Sequence, residues 1–248
     1  MPSPLASLSA AVGSLLDRAR RRFETLRPTY DAVAVGLVLL VTVSVVGGIV
    51  GLGAVFDATI DREVTVDNPD RPSEAACDSF GDEDSLIGER CDQPKRIDVD
   101  VGEELQGTLG EYVVYGLFGV PIWWGLFAVA LHAGARLTGG SGSLGDSFVI
   151  AAWAIVPELL RLAAGLAAIW YALSTATIDG ETFGAVANEI IAAIGAMRAP
   201  LLVVSALVIG IQWVIAVAGL EASHDLDRVT AGTVAGALAL IGFLLAAV

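Results

Sequence analysis

Apolar runs of about 20 residues, the length that crosses a bilayer, recur five times along this chain. Ala32–Phe56, Tyr112–Ala135, Ala199–Leu220 and Val229–Val248 hold no Asp, Glu, Lys or Arg. Ser147–Leu173 is equally apolar, and the apolar character runs on to Ile178, except for Glu158 and Arg161. The pattern predicts an all-α polytopic membrane protein with five transmembrane helices, at 32–56, 112–135, 147–173, 199–220 and 229–248. Residues 112–248 then form a four-helix membrane region. The first run is too long for a signal-peptide core and lacks a small-residue cleavage site, so it is read as a helix that stays.

Shorter periodicities fill the gaps. Leu5, Leu8, Val12, Leu15, Ala19, Phe23 and Leu26 repeat at steps of three and four, giving residues 1–30 one apolar helical stripe. A basic amphipathic tail lying on an anionic membrane is expected there, with a partner-binding helix as the alternative. Phe183, Val186, Ile190, Ile194 and Met197 repeat the pattern before the fourth span, and a helix resting at the interface is expected. Within the loop 57–111, "REVTVD" and "KRIDVDV" alternate apolar and polar positions, the period of a strand. Cys77 and Cys91, the only cysteines, lie between these stretches. On the outside of a cell such a pair forms a disulfide, worth roughly 3 kcal/mol in loop-closure entropy. A small β-ribbon closed by that bond is predicted.

Charge sharpens the picture. The chain is 55% hydrophobic, beyond the range of ordinary soluble domains, yet its formal charge is −14. Between Asp57 and Gly107 lie sixteen acids and five bases, a net of −11, so most of the excess sits in one acidic loop. Thirteen of the fourteen bases are Arg. Acid-rich, Lys-poor composition points to a surface adapted to high salt. No basic face is available to neutralise phosphates, which excludes nucleic acid as a partner. Five arginines (18, 20, 21, 22 and 27) precede the first span and place the amino terminus in the cytoplasm. The loops Arg136–Asp146 and Glu221–Arg228 are then cytoplasmic. The acidic loop and the carboxyl terminus are extracellular in a multi-pass protein of the cell membrane. Tyr112, Tyr115, Trp170 and Tyr171 would gather at the outer interface.

The candidate chemistry is sparse. "GSGSLG" (Gly140–Gly145) spells GxGxxG, but it joins two membrane spans without the strand and acidic residue of a dinucleotide site. It is read as a flexible tight turn, with Asp146 or Ser147 capping the next helix. Two histidines, His132 and His224, are too few for a zinc constellation, and "GDEDSLIGE" fails the EF-hand spacing. No metal and no cofactor are expected. Gly47 with Gly51, and Gly232 with Gly236, are spaced for close helix approach, in a compact bundle or a dimer. Pro157 removes a helical hydrogen bond and clashes with the carbonyl of Trp153, so the third span should kink. Glu158 and Arg161 share a helical face just beyond it. With Gln212 and His132 as further partners they form the candidate intramembrane polar site, where ionisable groups are functional candidates by default.

The stretch "GGSGSLGDSFVIAAWAIVPELL" (139–160) resembles the signature region of the Yip family, the Ypt/Rab-interacting membrane proteins. In that family a Gly-rich cytoplasmic turn, an "SF" helix start and an aromatic lead to a proline in the third of five spans. The "WW" of span two fits as well, and the likeness covers roughly residues 105–248. It implies architectural roles for Gly139, Gly140, Ser147, Phe148, Trp153 and Pro157, and a prokaryotic-type member; Glu158 and Arg161 fall outside the pattern. Eukaryotic relatives bind small GTPases and organise vesicle traffic through a longer cytoplasmic amino-terminal region, where this chain has about 30 residues. The disulfide-bearing acidic loop is an addition to the pattern. The expected function is non-enzymatic: binding a protein partner or a second copy, or organising the bilayer. The alternative is a small ion, proton or solute transporter built on Glu158–Arg161.

Overall fold

A break at Tyr112 and another at Pro157 divide two long helical stretches, Val101–Leu137 and Leu144–Thr175, into paired helices. The computed structural model describes residues 4–26, 30–80 and 86–247. Arg27, residues 81–85 of the acidic segment and Val248 lie outside the described residues, as do the side chains of Leu5, Leu8, Arg22, Phe23 and Leu26. The chain divides into two compact units, one of residues 1–50, 112–168 and 197–248, the other of residues 51–111 and 169–196.

The first unit is helical. It contains α1 (Pro4–Leu26), most of α2 (Tyr30–Thr59), α6 (Val113–Leu137), α7 (Leu144–Ile155), the first part of α8 (Glu158–Thr175), α10 (Arg198–Ser223) and α11 (Arg228–Ala247). Four stretches are long and apolar enough to cross a membrane: Ala32–Thr59, Val101–Leu137, Leu144–Thr175 and Arg198–Ser223. The expected fifth span coincides with a shorter apolar helix, α11, whose 20 residues extend about 30 Å at 1.5 Å per residue. Its core gathers Leu16, Val38, Leu131, Ile150, Val217 and Leu220, each nearly or fully buried. Surrounding lipid is as apolar as leucine, so close packing rather than water exclusion holds such helices together. Glycines mark where they meet. A Cβ on Gly134 would lie 2.6 Å from Val234, and one on Gly219 would lie 2.6 Å from Ile150. Within the chain, nothing among the described residues lies within 4 Å of a Cβ at Gly47 or Gly51. Gly48 and Gly116 take the close contacts instead, against Leu162 and Ile49. A Cβ on Gly232 or Gly236 would meet the indole of Trp213 at 3.7 or 3.6 Å.

The α1 helix packs on α10, with Leu16 buried and Val12 and Ala19 partly buried, while Leu15 is exposed. Its apolar stripe therefore serves the protein core as well as any membrane surface.

The second unit carries the acidic sequence. Strands β1 (Glu63–Asp67) and β2 (Arg96–Asp100) pair antiparallel, with Val64 opposite Val99 and Val66 opposite Ile97. The strand alternation is as expected, but the cysteines sit on two short helices between the strands, α3 (Glu74–Phe80) and α4 (Leu86–Cys91). The Cys77–Cys91 disulfide (Cα–Cα 5.7 Å) staples that helical excursion rather than the strands. Helix α5 (Val101–Glu111) follows, with the Asp100 carboxylate accepting from the Glu103 N–H at 2.9 Å, an N-cap contact. A Cβ on Gly102 would stand 2.8 Å from the Ile60 carbonyl, so only glycine lets α5 begin there. Helix α9 (Phe183–Gly195) turns its apolar stripe onto the protein. Its stripe residues Val186 and Ile190 are buried in a core with Phe56, Ile60, Val64 and Val101. The charged residues of this unit belong in water, and each aliphatic that its core shields from water is worth about 1.5–3 kcal/mol.

Candidate functional site

At Pro157 the ring has no N–H to donate, and the helical ladder stops: Val156 N–H reaches only the Trp153 carbonyl at 3.4 Å. Helix α8 restarts at Glu158, which puts a carboxylate in its first turn, where the helix dipole favours it. One turn on, the Arg161 guanidinium donates through Nη2 to Glu158 Oε1. Gln212 of α10 donates through Nε2 to the same oxygen at 2.7 Å. Both charged side chains are about 30% exposed. Breaking a half-buried pair by removing one partner leaves a charge uncompensated, which costs more than removing both.

This trio lines a cavity of ≈ 830 Å³ in the first unit. Its other walls are mostly apolar, including Val41, Trp123, Phe127, Ile155 and Leu238. Arg161 Nε and Trp153 Nε1 are buried without a partner among the described residues. The structure brings Glu158, Arg161 and Gln212 together, and it takes His132 elsewhere.

His132 lies beside His224, ring centroids 5.9 Å apart, in a second polar cluster that the sequence reading missed. This cluster is built by the glycine turn. Gly139 has φ +91°, a left-handed conformation that suits glycine. Gly140 N–H then closes α6 on the Ala135 carbonyl (2.8 Å), and Ser141 N–H donates to the His224 carbonyl (2.9 Å). A Cβ on Gly142 would collide with the His224 ring and stand 2.5 Å from the Ser223 carbonyl. The turn is tight, but it is clamped rather than flexible. The cap is also corrected: Ser143 is the N-cap of α7, and its N–H and hydroxyl both donate to the Asp146 carboxylate, at 2.9 and 2.7 Å. Asp146 thus answers from the third helical position, the reciprocal capping box. Ser147 is free of capping duty. Fully buried, its Oγ lies 2.9 Å from Nε2 of His224, also fully buried.

Burial pushes the His224 pKa below the ordinary histidine value; Asp146 opposes the shift, and His132 and Arg136 add to it. Nearby, Trp124 Nε1 donates to the Phe148 carbonyl at 2.9 Å, and its ring stands edge-on to Phe148 at 5.0 Å. At the same end of the unit, Arg228 joins Glu221 (2.8 Å) to Asp17 of α1 (2.6 Å). The hydrogen bond from Arg228 holds the Asp17 carboxyl below its usual range.

One signal could have found this second cluster. His132 ends span two, Ser147 opens span three and His224 follows span four, so a single orientation puts all three at one face.

Membrane-length helices, buried polar clamps at helix ends and a disulfide-stapled acidic unit define a polytopic all-α membrane protein. The model of the Yip1 domain matches residues 12–248, and the chain belongs to that family. The match extends the likeness read from residues 105–248 back through the acidic loop and the first span to α1. No curated protein and no solved structure matches the chain.

Proposed function

We propose that this chain is a non-enzymatic membrane protein that works by binding at the face formed by α1, the α6–α7 turn and the α10–α11 turn. One observation carries the reading: α1 is fixed to the bundle through Leu16 and the Asp17–Arg228–Glu221 relay. Its remaining surface presents Arg18, Arg20 and Arg21, all exposed. A basic helix fixed to the bundle in this way suits anionic headgroups of a membrane surface. The Ser147–His224 pair has the elements of a nucleophile and base, but both are fully buried, which supports a clamp rather than a catalyst. In this reading the amino terminus is cytoplasmic and the carboxyl terminus extracellular.

The test is vesicle recruitment. Protein reconstituted in neutral-lipid liposomes should capture anionic vesicles at low salt, and changing Arg18, Arg20 and Arg21 together to Gln should abolish capture. Equal capture by both proteins would overturn the proposal.

A transport reading has one observation in its favour, the cavity that reaches Glu158. Proton or ion flux in proteoliposomes that disappears in Glu158→Gln, with folding intact, would favour it. Against it stand the apolar walls, which offer no row of polar groups along which an ion could pass.

A further inference from the structure

The cavity beside Pro157 has the makeup of a ligand site. Its ≈ 830 Å³ lies inside the range of about 300–1,000 Å³ typical of small-molecule clefts, and like them it sets a few polar groups in a mainly apolar wall. Trp123 lines it and is 53% exposed on a membrane-crossing helix, so the cavity opens toward lipid. Whatever fills it comes from the bilayer.

The polar wall says which lipid. Glu158 and Arg161 cancel in charge and Gln212 is neutral, so a headgroup with net charge finds no counter-charge. The hydrogen-bonding capacity is only partly spent. Arg161 donates through Nη2 and Gln212 through Nε2, and both converge on Glu158 Oε1. Each charged side chain keeps about 30% of its surface open. The wall therefore still offers a guanidinium donor beside a carboxylate acceptor.

We propose that this cavity binds a neutral single-chain lipid with both hydroxyl and carbonyl in a small head, the chemistry of a monoacylglycerol. The tail lies along Trp123, Phe127 and Leu238. The head carbonyl accepts from Arg161, and its hydroxyl donates to Glu158. This site is independent of the basic face at α1.

The test uses the cavity's own tryptophans, Trp123, Trp124 and Trp213. The full chain is reconstituted in saturated phosphatidylcholine, and a monoacylglycerol brominated along its chain is titrated in as quencher. A saturable quenching component at low mole fraction is expected. Gly119→Leu and Gly242→Leu both fill the cavity from positions where a new Cβ meets nothing within 4 Å. Each should fold as the wild type does, by unfolding temperature, and lose the saturable component. Glu158→Gln with Arg161→Gln should weaken it by about tenfold. Quenching that rises only in proportion to mole fraction, or is unchanged in the filled variants, overturns the proposal. So does equal saturation by phosphatidylcholine carrying the same brominated chain, which would make the cavity a slot for bulk lipid.

Discussion

The two units of this protein solve the same problem with opposite means. The helical unit sits in a solvent as apolar as its own side chains, so it gains little by hiding leucine. Its specificity comes from surfaces that touch at glycine, such as Gly134 on Val234 and Gly219 on Ile150, and from polar groups that have nowhere else to bond. Ser147 on His224 and Gln212 on Glu158 are of that kind. The acidic unit works in water, where burying Ile60, Val186 and Ile190 has a driving force. Its core is small, and it adds a disulfide to what apolar area supplies. The bundle should therefore be sensitive to added atoms, and the acidic unit to removed ones.

The sharpest break in that comparison is Gly142→Val. Its side chain has no room between the His224 ring and the Ser223 carbonyl, and about 3 kcal/mol, the upper end of what overpacking costs, should be lost. Thermal unfolding in detergent checks this, while the disulfide of the other unit should still form. The converse is Cys77→Ser with Cys91→Ser. About 3 kcal/mol should leave the acidic unit alone, seen as protease cleavage between Asn68 and Lys95 with the bundle's transition unmoved. Cleavage no faster than in the wild type would show the staple to be dispensable.

A smaller effect separates charge from packing in the bundle. Arg161→Leu alone should cost about 2 kcal/mol, discounted for partial exposure. Joined to Glu158→Gln it should cost under about 1 kcal/mol. If the double variant is as damaged as the single, the pair is more than a self-neutralised plug.

Smallest is a pH effect. Because burial depresses the His224 pKa, the unfolded chain takes up a proton that the folded chain refuses. Stability from this source is full above about 6.5 and declines as pH falls toward the depressed folded value. His224→Gln should flatten that part of the stability curve, measured by denaturant midpoint between pH 7 and 5.

Features that depend on local composition were readable from the chain. Runs nearly free of charge marked the spans because a charged side chain in hydrocarbon is costly. Pro157 marked its break through a missing donor, and the alternation at Val64–Val66 marked a strand. What escaped was decided by neighbours far away in sequence. Gly47 and Gly51 have the spacing of a contact pair, but which face of α2 meets α6 or α8 depends on the whole bundle, and Gly48 was the residue that faced Leu162. His132 was grouped with Glu158 when its neighbour was His224. The helices α3 and α4 are of 7 and 6 residues, too short for periodicity to register. The Val186–Ile190 stripe was visible as a stripe, but periodicity is blind to what covers it.

The excursion that carries the disulfide leaves and returns at one place. Asn68 N–H donates to the Lys95 carbonyl at 2.9 Å, beside the Asp67–Arg96 pair. Seen from the ribbon, everything between those two residues is an interchangeable insert on a fixed socket. An Asn-Gly turn in its place should leave β1 and β2 still joined. Such a socket lets the segment it carries be exchanged while the pairing of the two strands stays the same.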